Sequence, residues 1–120
     1  MKSYKELEIY KVAFKLAKEV HQLTMKLPKH EMFELGSQVR RSAQSVRTNI
    51  VEGYGRRRYH ADFIKFLVYA HASLLETISH LEMLNELYAK QEIPDLIIKY
   101  EKLGSQLHNF IVYVETNWQS

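Results

Sequence analysis

Only two prolines and four glycines interrupt this 120-residue chain, and all but Gly104 stand where helical patterns begin or end. Between them apolar residues recur at helical spacing, and the β-branched residues follow that spacing, not the alternation of a strand. A chain so sparsely punctuated is bound to fold into a few long helices. The first is expected over about residues 6–26, stopping before Pro28. It has one apolar stripe of Ile9, Ala13, Leu16, Val20, Leu23 and Leu27, and a second, roughly opposite, of Leu7, Tyr10, Phe14 and Ala17. A bundle helix needs only the first stripe; the second asks for another partner.

A connector with a turn of helix around residues 31–35 leads to a second helix at about 37–54, with Ser37 as N-cap and Gly53 and Gly55 as its permissive end. A third helix is expected at about 60–90. Its main stripe runs from Phe63 through Leu67, Ala70, Leu74 and Leu81, flanked by Ile64, Val68, Leu75 and Ile78. Pro94 opens a fourth at about 95–117, since its missing N–H costs little in a first turn. Four helices with short connections predict an all-α, antiparallel up-down-up-down four-helix bundle, one domain over residues 1–120 that can bury its own core.

Several function classes recede on composition. The chain has no cysteine, which removes disulfides and thiolate metal sites. No run of about 18 uncharged apolar residues could span a membrane, and the charged N-terminus is unlike a signal peptide, so a cytoplasmic, membrane-free protein is expected. None of the six histidines stands four residues from another, and no Glu-x-x-His occurs, so neither metal nor cofactor is expected. The Gly53-Tyr54-Gly55 element lacks the spacing of a phosphate loop, and no serine sits in a strand-to-helix elbow. Enzymatic activity is not expected.

Charge is more informative in its placement than in its total of +3. All six arginines fall between Arg40 and Arg58, and residues 36–65 carry seven Lys/Arg against two acids, whereas residues 66–120 carry three against seven. Arg40, Arg47, Arg56, Arg57, Arg58, Tyr59 and His60 form a candidate nucleic-acid contact, with guanidinium groups for phosphates and rings for bases. The Arg56–Arg58 run also reads as a solvated turn that offsets acids at neighbouring helix ends, and both readings stand. Arg41, Ser45, Asn49, Glu52, Ser73 and Glu76 read as a hydrogen-bonded network fixing the register of the second and third helices, or else as a charged site between them. Leu7, Tyr10, Phe14, Ile64, Val68 and Leu75 would expose more apolar surface than a soluble monomer usually tolerates, which predicts a homo-oligomer.

The pieces Leu7-Glu8-Ile9-Tyr10-Lys11, Gln38-Val39-Arg40-Arg41-Ser42-Ala43, Asn49-Ile50-Val51-Glu52-Gly53 and Ser73-Leu74-Leu75-Glu76 occur in this order. Over about residues 5–80 the chain resembles the four-helix bundle family named for proteins encoded in bacterial 23S rRNA intervening sequences. It departs from that pattern at Tyr59-His60-Ala61, where a Ser-type cap is more usual, and at Val51, where Ala is usual. The resemblance implies a small helical subunit assembling into a homopentamer without established enzymatic activity. The family is also similar to the accessory protein of diversity-generating retroelements, a basic pentamer that contacts nucleic acid and a reverse transcriptase. Two readings therefore compete: an adaptor for RNA or DNA, and an interaction module whose partner is a protein.

Overall fold

The computed structural model describes residues 3–118. A 3-10 turn at Tyr4–Glu6 precedes α1 (Glu8–Thr24), and the short α2 (Lys29–Phe33) leads into α3 (Leu35–Gly55). Two long helices, α4 (His60–Tyr88) and α5 (Glu92–Asn117), complete the chain. At 1.5 Å per residue α4 alone is about 44 Å long, which accounts for most of the 47 Å long axis.

The four long helices form a ring in the order α1, α3, α4, α5, each touching its two neighbours. Paired side chains give the direction. Ser42 meets Thr77 and Ser45 meets Ser73 across α3 and α4. Thr24 meets Arg40 and Phe14 meets Arg47 across α1 and α3, while Glu19 meets Lys99 across α1 and α5. As one number rises its partner falls across α3–α4 and α1–α3, and the same holds across α4–α5, where His60 meets Val114 and Leu74 meets Gly104. These neighbours are antiparallel, and α1 and α5 in consequence run opposite ways. The central stripes are buried: Ala13, Val20, Val39, Val46, Ile50, Phe63, Leu67, Leu81, Leu103 and Leu107 are fully enclosed. No strand occurs among the described residues.

Several boundaries differ from the sequence expectation, each for a local reason. The first helix starts two residues late because Leu7 is extended (φ −68°, ψ 127°), which turns its side chain into the core. Ser37 is not the cap of α3. That helix begins at Leu35, whose N–H is taken by the Glu31 carboxylate at 3.3 Å, and Tyr88 Oη donates to the other oxygen of the same carboxylate at 2.8 Å. Gly53 and Gly55 lie within α3, and neither has a positive φ. Gly53 serves close packing instead: a Cβ there would stand 3.3 Å from both the Phe63 carbonyl and Phe66 Cβ. The left-handed residue is Ala89 (φ 46°), which ends α4 one residue after Tyr88. The fourth expected helix, α5, begins earlier than Pro94, at Glu92, leaving Pro94 within the first turn.

Candidate nucleic-acid interface

The α3–α4 turn is held from both sides. The Arg56 and Arg57 N–H groups bond back to carbonyls of the last turn of α3, and Tyr59 N–H reaches the Arg56 carbonyl at 2.9 Å. Arg56 donates to Glu52 at 3.0 Å and to Asp62 at 3.4 Å, and its guanidinium lies 4.6 Å from the Phe66 ring centroid. Arg57 donates to the Tyr54 carbonyl at 3.0 Å and lies 4.1 Å from the Tyr54 ring, itself buried edge-on to Phe63. Arg58 is exposed, with no partner among the described residues, and Tyr59 is 64% exposed. The turn therefore presents three guanidinium groups and a phenol, two of the guanidiniums already oriented on aromatic rings.

The other residues expected in this contact are elsewhere. Arg40 is about 24 Å further along α3, where its guanidinium donates to Thr24 Oγ1 at 2.9 Å and to the Met32 carbonyl at 3.0 Å. It clamps the connector between α1 and α3. Arg47 lies on the α1 side, bonded to Gln44 Oε1 and set 5.8 Å from the Phe14 ring. His60 is committed to α5: its Nε2 is 2.6 Å from the Val114 carbonyl, which can only accept, so Nε2 carries the proton. The sequence reading passed over Lys11, Lys15 and Lys18, which are exposed on α1. Their i, i+4, i+7 spacing would have shown one basic stripe.

The polar seam is smaller and deeper than expected. Ser45 and Ser73 hydroxyls meet at 2.8 Å, and Asn49 Nδ2 donates to Ser45 Oγ at 2.9 Å. Arg41 is exposed, Glu52 pairs with Arg56, and Glu76 stands 3.6 Å from His80 on the outside of α4. Arg41 and Glu52 share a ridge with Ser45, but only the α4 side of that ridge reaches the seam. The pair that completes it, Ser42 and Thr77, is fully buried.

Within the oligomer set, Leu7 and Tyr10 are buried in their own chain: the extended backbone of Leu7 turns its side chain inward, and the 3-10 turn folds Tyr4 edge-on over Tyr10 at 4.9 Å. Ile64 is half-buried; Phe14, Val68 and Leu75 remain 46%, 48% and 56% exposed. Charge is segregated as well. Helices α1 and α3 carry six Lys/Arg against three Glu, and α4 and α5 carry three Lys against eight acids. Among the described residues no three His, Asp or Glu side chains gather as a metal site would require, and no helix is long and apolar enough to cross a membrane.

These features define a helical bundle with a basic interhelical turn on its surface. The family described as 23S rRNA-intervening sequence protein matches residues 5–109, and the chain belongs to it. That match runs on into α5, beyond the stretch whose motifs carried the resemblance. A protein of unknown function from the S23 ribosomal protein family of Bacteroides thetaiotaomicron VPI-5482 has a similar crystal structure, with a TM-score of 0.78 at 23% identity over 86% of this chain and 94% of that one. At that identity the likeness concerns the fold. No curated protein matches the chain.

Proposed function

We propose that this protein is a non-catalytic, self-associating bundle of the cytoplasm that binds RNA or DNA through the α3–α4 turn. The observation that carries the reading is the exposure of Arg58 and Tyr59 beside Arg56 and Arg57, whose guanidiniums lie over aromatic rings. A pre-oriented guanidinium loses less freedom when it meets a phosphate. Self-association, with a pentamer as the resemblance implies, repeats the turn and multiplies weak contacts. The acidic surface of α4 and α5 favours the second reading, a module whose partner is a basic protein.

Because the family's description names 23S rRNA, a labelled ribosomal RNA hairpin is the first probe. Its titration at several salt concentrations, with wild type beside an R56A/R57A/R58A variant, separates the two readings. Binding should depend little on sequence and fall steeply with salt, and the variant should have a flatter slope. Equal affinities and slopes would remove the turn as the site. No binding by wild type would favour the protein-interaction reading.

A further inference from the structure

A trough lined by no acid runs along the α1–α3 side of the bundle. One part is a hollow of about 330 Å³ with Phe14, Ala17, Lys18 and Arg47 in its wall. The other is a hollow of about 490 Å³ lined by Ser37, Arg40, Arg41 and Thr48. His21 and Gln44 line both, so the two hollows adjoin. Phe14, Lys18 and His21 recur at i, i+4 and i+7 on α1, and Ser37, Arg41, Gln44 and Thr48 at i, i+4, i+7 and i+11 on α3. Such spacing puts each set on one ridge. Thr24 meets Arg40 and Phe14 meets Arg47, which sets Lys18 level with Gln44 and His21 between Gln44 and Arg41.

The two parts differ in chemistry. In the first, Ala17 carries only a methyl group and leaves the space between the helices open. Phe14 stands at one end, 46% exposed, with the Arg47 guanidinium 5.8 Å from its ring centroid. An aromatic plane and a planar cation are both surfaces on which a nucleobase stacks. Arg47 donates to Gln44 Oε1 from Nε at 3.0 Å and from Nη2 at 2.8 Å, which orients the amide and leaves its NH2 group to donate to a ring acceptor. The second part is cationic. Arg40, anchored on Thr24 and the Met32 carbonyl, supplies a fixed positive charge. Arg41, His21 and Lys18 are exposed and have no ion-pair partner among the described residues. Cationic groups gathered without an acid repel one another in the empty trough, and an anion relieves that repulsion.

We infer that this trough is a binding site for a nucleotide carrying two or more phosphates. The base takes the Phe14 hollow and the phosphates take the Arg41 hollow. A flat ring joined to a run of anionic groups is the ligand whose two halves match the two halves of the trough. Each hollow also has the ~300–1,000 Å³ of small-molecule sites. The ligand is a free nucleotide or the 5′-phosphorylated end of a strand, which share this chemistry. The Arg47 end of the trough lies about 14 Å along α3 from Arg56. The site is therefore separate from the α3–α4 turn and does not depend on the turn binding a strand.

Calorimetric titration tests the site with ATP and GTP, and with inorganic triphosphate and the nucleosides as half-ligands. At least one nucleotide should bind more tightly than either of its halves. Phe14→Ala should weaken that nucleotide about tenfold through lost stacking and leave inorganic triphosphate unchanged. Arg41→Ala should weaken both by about tenfold or more. Both residues are exposed, so circular dichroism should find helicity unchanged in the two variants. R56A/R57A/R58A should bind the nucleotide as wild type does. No binding of ATP or GTP by wild type, nucleotide and inorganic triphosphate that bind equally, or wild-type affinity in both F14A and R41A would overturn the site. Loss of nucleotide binding in the triple variant would overturn it too, by moving the phosphates to the turn, and would leave the reading of the turn intact. An RNA oligomer with a 5′-triphosphate, titrated beside the same oligomer with a 5′-hydroxyl, identifies the source. Tighter binding of the triphosphate form, lost in R41A, assigns the strand end; equal binding of the two, with ATP or GTP still bound, assigns the free nucleotide.

Discussion

Thr77 Oγ1 lies 2.8 Å from Ser42 Oγ, with both residues sealed inside the α3–α4 seam. The same Thr77 hydroxyl is 2.8 Å from the Ser73 carbonyl, and Ser42 Oγ is 3.1 Å from the Val39 carbonyl. Two protons thus serve three contacts, and the hydroxyls are coupled. Thr77→Val keeps the shape and should cost about 1–2 kcal/mol, while Ser42→Ala with Thr77→Val should cost less than the two singles together. Urea unfolding of the four proteins measures the coupling; strict additivity would mean that the hydroxyls act independently.

Arg40 and Arg41 are neighbours in sequence with opposite roles. Arg40 bridges Thr24 and the Met32 carbonyl, so Arg40→Met should cost about 1.5–3 kcal/mol, the range for hydrogen bonds from a charged group. Arg41 is exposed with no partner among the described residues, and Arg41→Ala should change stability by less than about 0.5 kcal/mol. This reverses the role expected for Arg41 from its place on the Ser45 ridge. Denaturant midpoints in the opposite order would refute the assignment.

Ala89 ends α4 at φ 46°, a conformation that costs a residue with a Cβ about 1–2 kcal/mol and glycine very little. Ala89→Gly should stabilise the protein by about 0.5–1 kcal/mol, part of the relief being offset by the freedom glycine gains in the unfolded chain. A thermal melt that moves downward would show that the helix does not end this way.

Much of the bundle was legible because its signals are local. The Phe63, Leu67, Ala70, Leu74 and Leu81 stripe identifies the buried face of α4 without reference to any other helix. Arg56–Tyr59 could be read as one surface because the four residues are consecutive. Features made by two elements were hidden. Tyr10 looks like spare apolar surface until Tyr4 of the 3-10 turn covers it, and the cap of α3 comes from Glu31 in the separate α2. The pairing of Phe14 with Arg47 depends on α1 and α3 running antiparallel, which no local pattern encodes. Gly53 carried a correct signal with the wrong cause: it marks a close helix contact and not a chain reversal.

The last prediction concerns alkaline pH. Burial raises the Tyr100 phenol above its ordinary value, helped by the negative charge of Glu19. Tyr88 is raised by desolvation and by its hydrogen bond to Glu31, and Lys99 by its hydrogen bonds to Glu19 and Asp95. All three hold their protons more tightly folded than unfolded. Their contribution to stability is therefore complete below the unfolded pKa values of about 10 and is lost as pH rises toward the folded ones. Between pH 8 and pH 11 the buried Tyr100 phenol, if it stays protonated only in the folded state, lowers stability by about 1.4 kcal/mol. The Tyr100 hydroxyl is buried with no hydrogen-bond partner among the described residues. Tyr100→Phe should accordingly be neutral or stabilising by up to about 1 kcal/mol at pH 8. It should also lose less stability than wild type on going to pH 11. Urea midpoints at the two pH values measure both effects; equal losses in the two proteins would show that the Tyr100 phenol ionises as readily inside the bundle as in the unfolded chain.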